Sequence, residues 1–389
     1  MTASGDGTHK RVLIAGAGFT GAVLARALAE GGHQVLVTDP RPHVAGNCHT
    51  ETDSETGVLV HVYGPHIFHT ADEGVWAYIN RFGKMMPYVN RVKAVSGGRV
   101  YSLPINLHTI NQLFEKAMSP DQARAFMATQ CRNDIAEPAS FEDQALKFVG
   151  DRIYQTFFYG YTRKQWGVEP SRLPASILKR LPLRFTYDDN YFNHPFQGMP
   201  RDGYTPIVSA ILDCPGVEVR LGCRAEDVEG YDHTVYTGPL DAYFGHDLGR
   251  LGYRTLRFER FTHPGDFQGN PVINYCDQDV PFTRISEHRH FAPWARVPDL
   301  SVCFREYASD CGADDVPYYP LRLLDDKKLL QDYVARAEAL TGVTFAGRLG
   351  TYAYIDMDVA IGRALETADV LLNAWSGGAE APVFVHCPI

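Results

Sequence analysis

The stretch from Phe157 to Asn193 holds the residues best suited to binding chemistry. Phe157, Phe158, Tyr159, Tyr161, Trp166, Phe185, Tyr187, Tyr191 and Phe192 are interleaved there with Arg163, Lys164, Arg180 and Arg184. Aromatic faces beside guanidinium groups suit a ligand with a flat ring at one end and phosphates at the other: the ring stacks and the arginines neutralise the phosphates. The same composition would equally build a hydrophobic core edged by solvated cations, so the stretch alone leaves both readings open.

A second chemical signal lies near the N-terminus. Gly16-Ala17-Gly18-Phe19-Thr20-Gly21 follows the apolar run RVLIA and precedes AVLARALAEGG, whose apolar residues recur at helical spacing; QVLVTD then ends on Asp39. In such a strand–turn–helix–strand unit Gly16 permits the tight turn, Gly18 lets backbone approach a pyrophosphate, and Gly21 lets helix and strand pack closely. Phe19 and Thr20 open the helix whose N-terminus faces the phosphates, and Asp39 is placed to bind ribose hydroxyls. The residues after Asp39, with Ala45-Gly46-Asn47, suit a loop wrapped over the rest of a dinucleotide, as flavoproteins often have; this favours FAD over NAD. His66 and His69, just past the Gly64-Pro65 turn, have no acidic or cysteine neighbour that would make a metal site. They read as a loop against a flavin ring or as hydrogen-bonded structural histidines. No metal is expected, since the eight cysteines are scattered and form no C-x-x-C pair.

The elements that must position these residues follow from length and pattern. A chain of 389 residues calls for two or three domains. Hydrophobic residues at 45% and charged residues at 21% describe an ordinary globular composition. The net charge of −9 argues against a nucleic-acid partner. No apolar run is long enough to span a membrane, and the N-terminus lacks an apolar signal segment, so a cytoplasmic protein is expected. From about 77 to 103 the pattern reads as short strands with a Gly97-Gly98 hairpin. From Leu107 to Gly160 it reads as three or four helices, capped at Ser119-Pro120 and Ser140. VEVRLG and TVYTGPLDAYF read as strands returning to the first sheet. YRTLRFERF, PVINYC and PFTRISEHRHF alternate as strands of a second, antiparallel sheet. Pro317-Tyr318-Tyr319-Pro320 reads as a stiff aromatic loop, Lys327 to Leu340 as a helix, and Gly347-Arg348-Leu349-Gly350 as a turn before a helix whose N–H groups face a phosphate or flavin.

Taken together and in order, GAGFTG (16–21), YGPHIFHT (63–70), PYVNRV (87–92), GYTRKQWG (160–167), LPASILKRLPLRFTYDDNYFN (173–193), TRISEHRHF (283–291), PYYP (317–320) and GRLGTYAYIDMD (347–358) resemble the prokaryotic UDP-galactopyranose mutases, from about residue 10 to the C-terminus. The resemblance implies an α/β fold in which a Rossmann-like FAD-binding domain (1–76, 197–243 and 340–389) carries an inserted helical domain (104–178) with a mobile substrate loop. An antiparallel sheet domain (77–103, 179–196 and 244–339) completes it. It implies interconversion of UDP-galactopyranose and UDP-galactofuranose through a covalent bond between the sugar and N5 of reduced FAD, without net redox change, in a homodimer. Carried over residue by residue, Arg180 and Arg284 match the pyrophosphate arginines, and Tyr191, Tyr318 and Tyr354 the hydroxyls on the same phosphates. Phe157, Phe158, Tyr161 and Asn274 match the uridine site, and Trp166 the loop that closes over substrate. His66 and His69 match the loop under flavin and sugar, Asn90 a nearby polar contact, and Arg348 and Asp356 flavin-facing positions. Ala45-Gly46-Asn47-Cys48-His49-Thr50 stands where the family usually has Gly-Gly-Asn-small-Tyr-Asp, and Ala353 where it often has a basic residue. The motifs leave room for a mutase of another UDP-sugar, an FAD-dependent oxidoreductase of the amine-oxidase-like fold, or a non-catalytic nucleotide-sugar sensor.

Overall fold

A computed structural model describes residues 9–178, 183–296, 299–322 and 327–389. Five parallel strands form one sheet, in the order Val217–Leu221, Gln34–Asp39, Arg11–Ala15, His233–Tyr236, Val343–Phe345. Its central strands are near-continuous apolar runs because helices cover both faces. Val12, Ile14, Val35, Val37 and Val235 are buried against the helices Phe19–Glu30, Tyr204–Leu212 and Met357–Ser376. Strands from three distant parts of the sequence thus share one sheet, and the loops at their carboxyl ends open on one crevice.

A seven-stranded sheet stands beside it, in the order Tyr319–Pro320, Tyr253–Pro264, Leu300–Asp310, Arg284–Glu287, Val272–Tyr275, Val92–Ser96, Arg99–Leu103. All neighbours are antiparallel except Val272–Tyr275 and Val92–Ser96, which run parallel. The hairpin expected at Gly97-Gly98 is present, with both glycines at positive φ, +56° and +71°, the conformation a two-residue primed turn requires. Pro317 to Pro320 is not all loop: Tyr319–Pro320 adds to the sheet edge opposite Tyr253 and Arg254.

Helices Leu107–Phe114, Pro120–Gln130, Phe141–Ile153 and Gly160–Trp166 enclose a separate core that includes Ile110, Met127, Phe141, Tyr154 and Phe157. Ser119 and Ser140 each accept a backbone N–H and receive the reciprocal bond of a capping box, from Gln122 and Asp143. A π-helical run, Tyr154–Tyr159, joins the third helix to the fourth. Such runs concentrate at functional positions. Three elements depart from the sequence pattern: Leu240–Tyr243 and His288–Phe291, read as parts of strands, are short helical turns, and Glu73–Asn80 is a helix, although residues from 77 onward read as strand. Asp72 decides it, accepting the Val75 N–H at 3.0 Å and so starting a helix that buries Val75 and Ile79.

Candidate active site

The glycine turn is built as a cradle. Gly16 sits at φ +113°, and a Cβ there would lie 2.2 Å from Thr237 Oγ1; one at Gly21 would lie 1.9 Å from the Gly16 carbonyl oxygen. Only glycine fits either position. Gly18 caps the helix Phe19–Glu30 without a side-chain hydrogen bond, so the first N–H groups of the helix remain available to an anion. Gly46, at φ +53°, brings its loop against Gly18, and Gly347 brings the Arg348 turn against Thr20. Asp39 braces the cradle: its Oδ2 accepts the Ala17 N–H and its Oδ1 the Arg41 N–H, each at 2.9 Å. A carboxylate has further lone pairs, so it still has capacity for a ribose hydroxyl.

These residues line a cleft of about 550 Å³ together with Phe19, Asn47, Cys48, His66, Tyr318, Arg348 and Asp356. Burial pushes the Cys48 thiol up to about 12, against the pull of Arg348, so it stays protonated. Asp356 precedes the last helix without capping it through its side chain, which leaves its carboxylate free toward the cleft.

Beside the cleft, and joined to it through Arg348, stands a wall of cations and aromatic rings. Arg284 stands opposite Glu306 on the neighbouring strand and donates from Nε to Glu306 Oε2 at 2.7 Å. Glu306 is buried, so the pair is stiff and poorly screened. The charge of Arg284 acts on Tyr161, Tyr191, Tyr319, Tyr354 and His66 at once. Arg348 lies 5.4 Å from the ring centre of Tyr319 and 5.2 Å from that of Tyr354, and its Nε is buried without a partner among the described residues. Trp166 closes the group, its ring centre 6.4 Å from Tyr319 and 6.3 Å from Tyr354.

His66 Nδ1 donates to the Gly64 carbonyl at 2.9 Å, because a carbonyl can only accept. Burial, reinforced by Arg348 and Arg284, brings its pKa down to about 4. The ring is therefore neutral near pH 7, with Nε2 an acceptor. His69 stacks on Phe192 at 3.7 Å and shares a proton with His194, Nδ1 to Nδ1 at 2.8 Å. Burial lowers its pKa, while Asp356 and Asp358 oppose this.

The remaining expected residues are more dispersed. Phe157 is buried against Tyr101 in the helical core, and the half-buried Phe158 leans toward Phe141. Asn90 is buried; its carbonyl accepts the Tyr191 N–H at 2.9 Å, and its side-chain Oδ1 has no partner. Asn274 pairs in register with Arg284 and likewise has a buried, unpartnered Oδ1. Tyr318 faces Tyr63 and Phe258, at 6.5 and 6.2 Å between ring centres, on the cradle side of the wall. Arg180 lies outside the described residues. Two residues of the wall were not anticipated from sequence. Glu306 sits in an alternating strand where an acid reads as a surface residue. Tyr319 adjoins a tyrosine of the same type, and only its place at the start of the edge strand distinguishes the two.

Comparison with known proteins places these features together. A family model for UDP-galactopyranose mutase matches residues 156–354, and one for an NAD(P)-binding Rossmann-like domain matches residues 14–82. The chain is 55% identical to a probable UDP-galactopyranose mutase of Klebsiella pneumoniae, over 97% of this chain and 98% of that one. It is 49% identical to a dTDP-fucopyranose mutase of Escherichia coli, over 93% and 98%. Its fold is similar to that in a crystal structure of reduced UDP-galactopyranose mutase, with a TM-score of 0.71 at 16% identity, covering 95% of this chain and 96% of that one.

Proposed function

The chain belongs to the UDP-galactopyranose mutase family, and on that premise we propose that it interconverts UDP-galactopyranose and UDP-galactofuranose on reduced FAD. The observation that carries the reading is the convergence of Tyr161, Tyr191, Tyr319, Tyr354 and His66 on the single charge of Arg284, next to a backbone cradle for a dinucleotide. The cradle fits FAD on its own geometry: glycines where any Cβ would collide, a helix N-terminus without a side-chain cap, and a buried Arg348 Nε lacking a partner among the described residues. When bound, reduced FAD supplies the nucleophilic nitrogen for covalent catalysis without net oxidation.

The protein's part is to detach a diphosphate and hold both fragments. Arg284, with Arg180, stabilises the negative charge that grows on the leaving phosphates, while Arg348, the second arginine beside Tyr319, faces the flavin. Glu306 fixes the Arg284 guanidinium in advance, so little reorganisation is left for the moment of reaction. The Tyr191, Tyr318 and Tyr354 hydroxyls bind the phosphates, and Tyr319 stands between the two arginines. The uridine goes to the Phe157–Phe158–Tyr161 segment, where the unpartnered Asn274 Oδ1 suits the ring N–H of a pyrimidine. His66 Nε2 accepts from a sugar hydroxyl and, with a pKa near 4, orients it rather than taking its proton at neutral pH. Trp166 covers the site, excluding water that would otherwise capture the detached sugar. A homodimer working in the cytoplasm belongs to the same proposal.

The relative named as a dTDP-fucopyranose mutase supports a second reading. Uracil and thymine share the ring N–H that Asn274 would meet, so that contact does not choose between them. The deciding experiment gives the reduced protein UDP-galactofuranose and dTDP-fucofuranose in parallel. A higher kcat/KM for the UDP-sugar upholds the first reading; the reverse order replaces it with the second.

A further inference from the structure

Helix Gly160–Trp166 carries both Tyr161 and Trp166, and it is seated on the sheet by contacts that the chemistry above does not use. A Cβ at Gly160 would fall 2.2 Å from the Cys276 carbonyl oxygen, so the helix backbone lies directly on the loop that follows Tyr275. One turn on, on the same face, Lys164 reaches into that loop. Its Nζ lies 2.7 Å from the Tyr275 carbonyl oxygen, 2.8 Å from that of Asp277, and 3.0 Å from those of Val280 and Phe282. Four acceptors around one nitrogen suit an ammonium, whose three N–H groups they share; burial lowers its pKa to about 8, which still leaves it a cation at pH 7. At the other end of the helix, Arg254 from the long strand donates to the Gln165 carbonyl at 2.9 Å and the Lys164 carbonyl at 3.4 Å, and it pairs with Asp310. Gly167, in left-handed conformation at φ +71°, leaves room for that guanidinium: a Cβ would lie 2.4 Å from Arg254 Nη1.

The loop gripped by Lys164 is part of the site's frame. Its ends are the strand bearing Asn274 and the strand bearing Arg284. We propose that Lys164 is a positioning residue for the mutase reaction: its ammonium, held in the four-carbonyl cage, fixes where Tyr161 stands beside Arg284 and where Trp166 stands beside Tyr319 and Tyr354. The inference rests on the proposed function and adds a residue to it. An apolar side chain in the cage would leave these part-buried carbonyls without their donor, and the loop would shift to find water. Arginine does not replace lysine here, since a planar fork does not match four carbonyls converging on one point.

The test compares wild-type protein, Lys164→Met and Lys164→Ala, each loaded with FAD and reduced, with UDP-galactofuranose as substrate. Tyr161 and Trp166 touch ground state and transition state alike. KM in Lys164→Met should therefore rise about tenfold or more while kcat changes by less than about threefold and the FAD content stays at the wild-type level. In Lys164→Ala, ammonium chloride should bring KM back toward wild type by refilling the cage, whereas tetramethylammonium chloride, too large for it, should not. A wild-type KM in Lys164→Met overturns the proposal. So does a Lys164→Met protein that fails to fold alongside a Lys164→Ala protein that ammonium leaves unchanged, because Lys164 would then serve stability alone. Inactivity of the wild type in the same assay would overturn the mutase reading and this inference with it; an active wild type with unaltered variants removes only Lys164.

Discussion

The site has two walls that do their work by different means. The cradle is backbone: Gly16, whose N–H is spent on the Thr38 carbonyl, gives the turn and empty space, Gly18 and Gly21 lie at the open start of the helix, and Asp39 braces the turn through backbone bonds. The wall beside it is side chain: Arg348, which also lines the cleft, stands with Arg284, Tyr161, Tyr191, Tyr319 and Tyr354, which come from a strand, a helix and three loops or edges. A backbone wall resists change, because any added atom meets atoms that cannot move. A side-chain wall can lose one member and keep its shape. Substitutions on the two sides should therefore fail differently, the first by losing the cofactor and the second by losing turnover.

The largest effect is expected at Gly21→Ala. The new methyl would press on the Gly16 carbonyl, a backbone atom with nowhere to go, so the turn must open at a cost of roughly 3 kcal/mol or more. The purified protein should carry little or no FAD, read as flavin absorbance per chain; a full complement of flavin would mean that the cradle is not where the cofactor sits. Arg284→Ala should do the opposite and keep its flavin. Removing a guanidinium that meets a desolvated phosphate should cost about 2–5 kcal/mol in kcat/KM, and Arg180→Ala should cost a similar amount. Near-normal turnover in either variant takes that arginine out of the mechanism.

Acid should strain both sides equally, since each has its own buried histidine. His233 lies in the parallel sheet and His288 just beyond the Arg284 strand; burial holds them at about 4 and about 3, below the usual 6.5. Above pH 6.5 both are neutral, folded or unfolded. As pH falls below 6.5 the unfolded chain takes up protons that the folded chain refuses, so stability falls with pH. By pH 5 the loss is about 2 kcal/mol for each histidine. Denaturant unfolding at pH 7 and pH 5 measures it, and a His288→Gln variant should show a shallower loss than wild type. An identical slope would mean that His288 takes up its proton as readily in the folded chain as in the unfolded one.

The smallest of these effects is expected at Trp166→Ala. Its ring meets Tyr319 and Tyr354 rather than the cradle. KM should rise about tenfold, near 1.4 kcal/mol, with flavin retained. An apoprotein would assign Trp166 to the cofactor side and erase the distinction between the walls.

The same contrast explains what could be read in advance. The cradle is local: GAGFTG with a strand before it and a helix after it states its purpose within a few residues, and the helix caps at Ser119 and Ser140 are equally local. The second wall depends on register. Glu306 meets Arg284 only because Leu300–Asp310 and Arg284–Glu287 pair antiparallel at that offset, and no spacing in the sequence encodes an offset. Tyr319 opens the edge strand and lies near both arginines, while Tyr318, just before it, packs near Tyr63 and Phe258. The sequence resemblance pointed to the PYYP segment; only pairing with Tyr253 and Arg254 distributes its two rings. The helix at Glu73–Asn80 escaped notice for a related reason, since its one decisive bond comes from Asp72, ahead of the pattern.

The central claim is tested most directly by an anaerobic assay of the FAD-loaded protein with UDP-galactofuranose, with and without dithionite, the products separated by chromatography. A mutase of this family should form UDP-galactopyranose with dithionite and almost none without it. No pyranose in either condition, or hydrogen peroxide together with an oxidised sugar once air is admitted, would contradict it and point to an oxidoreductase on the same fold.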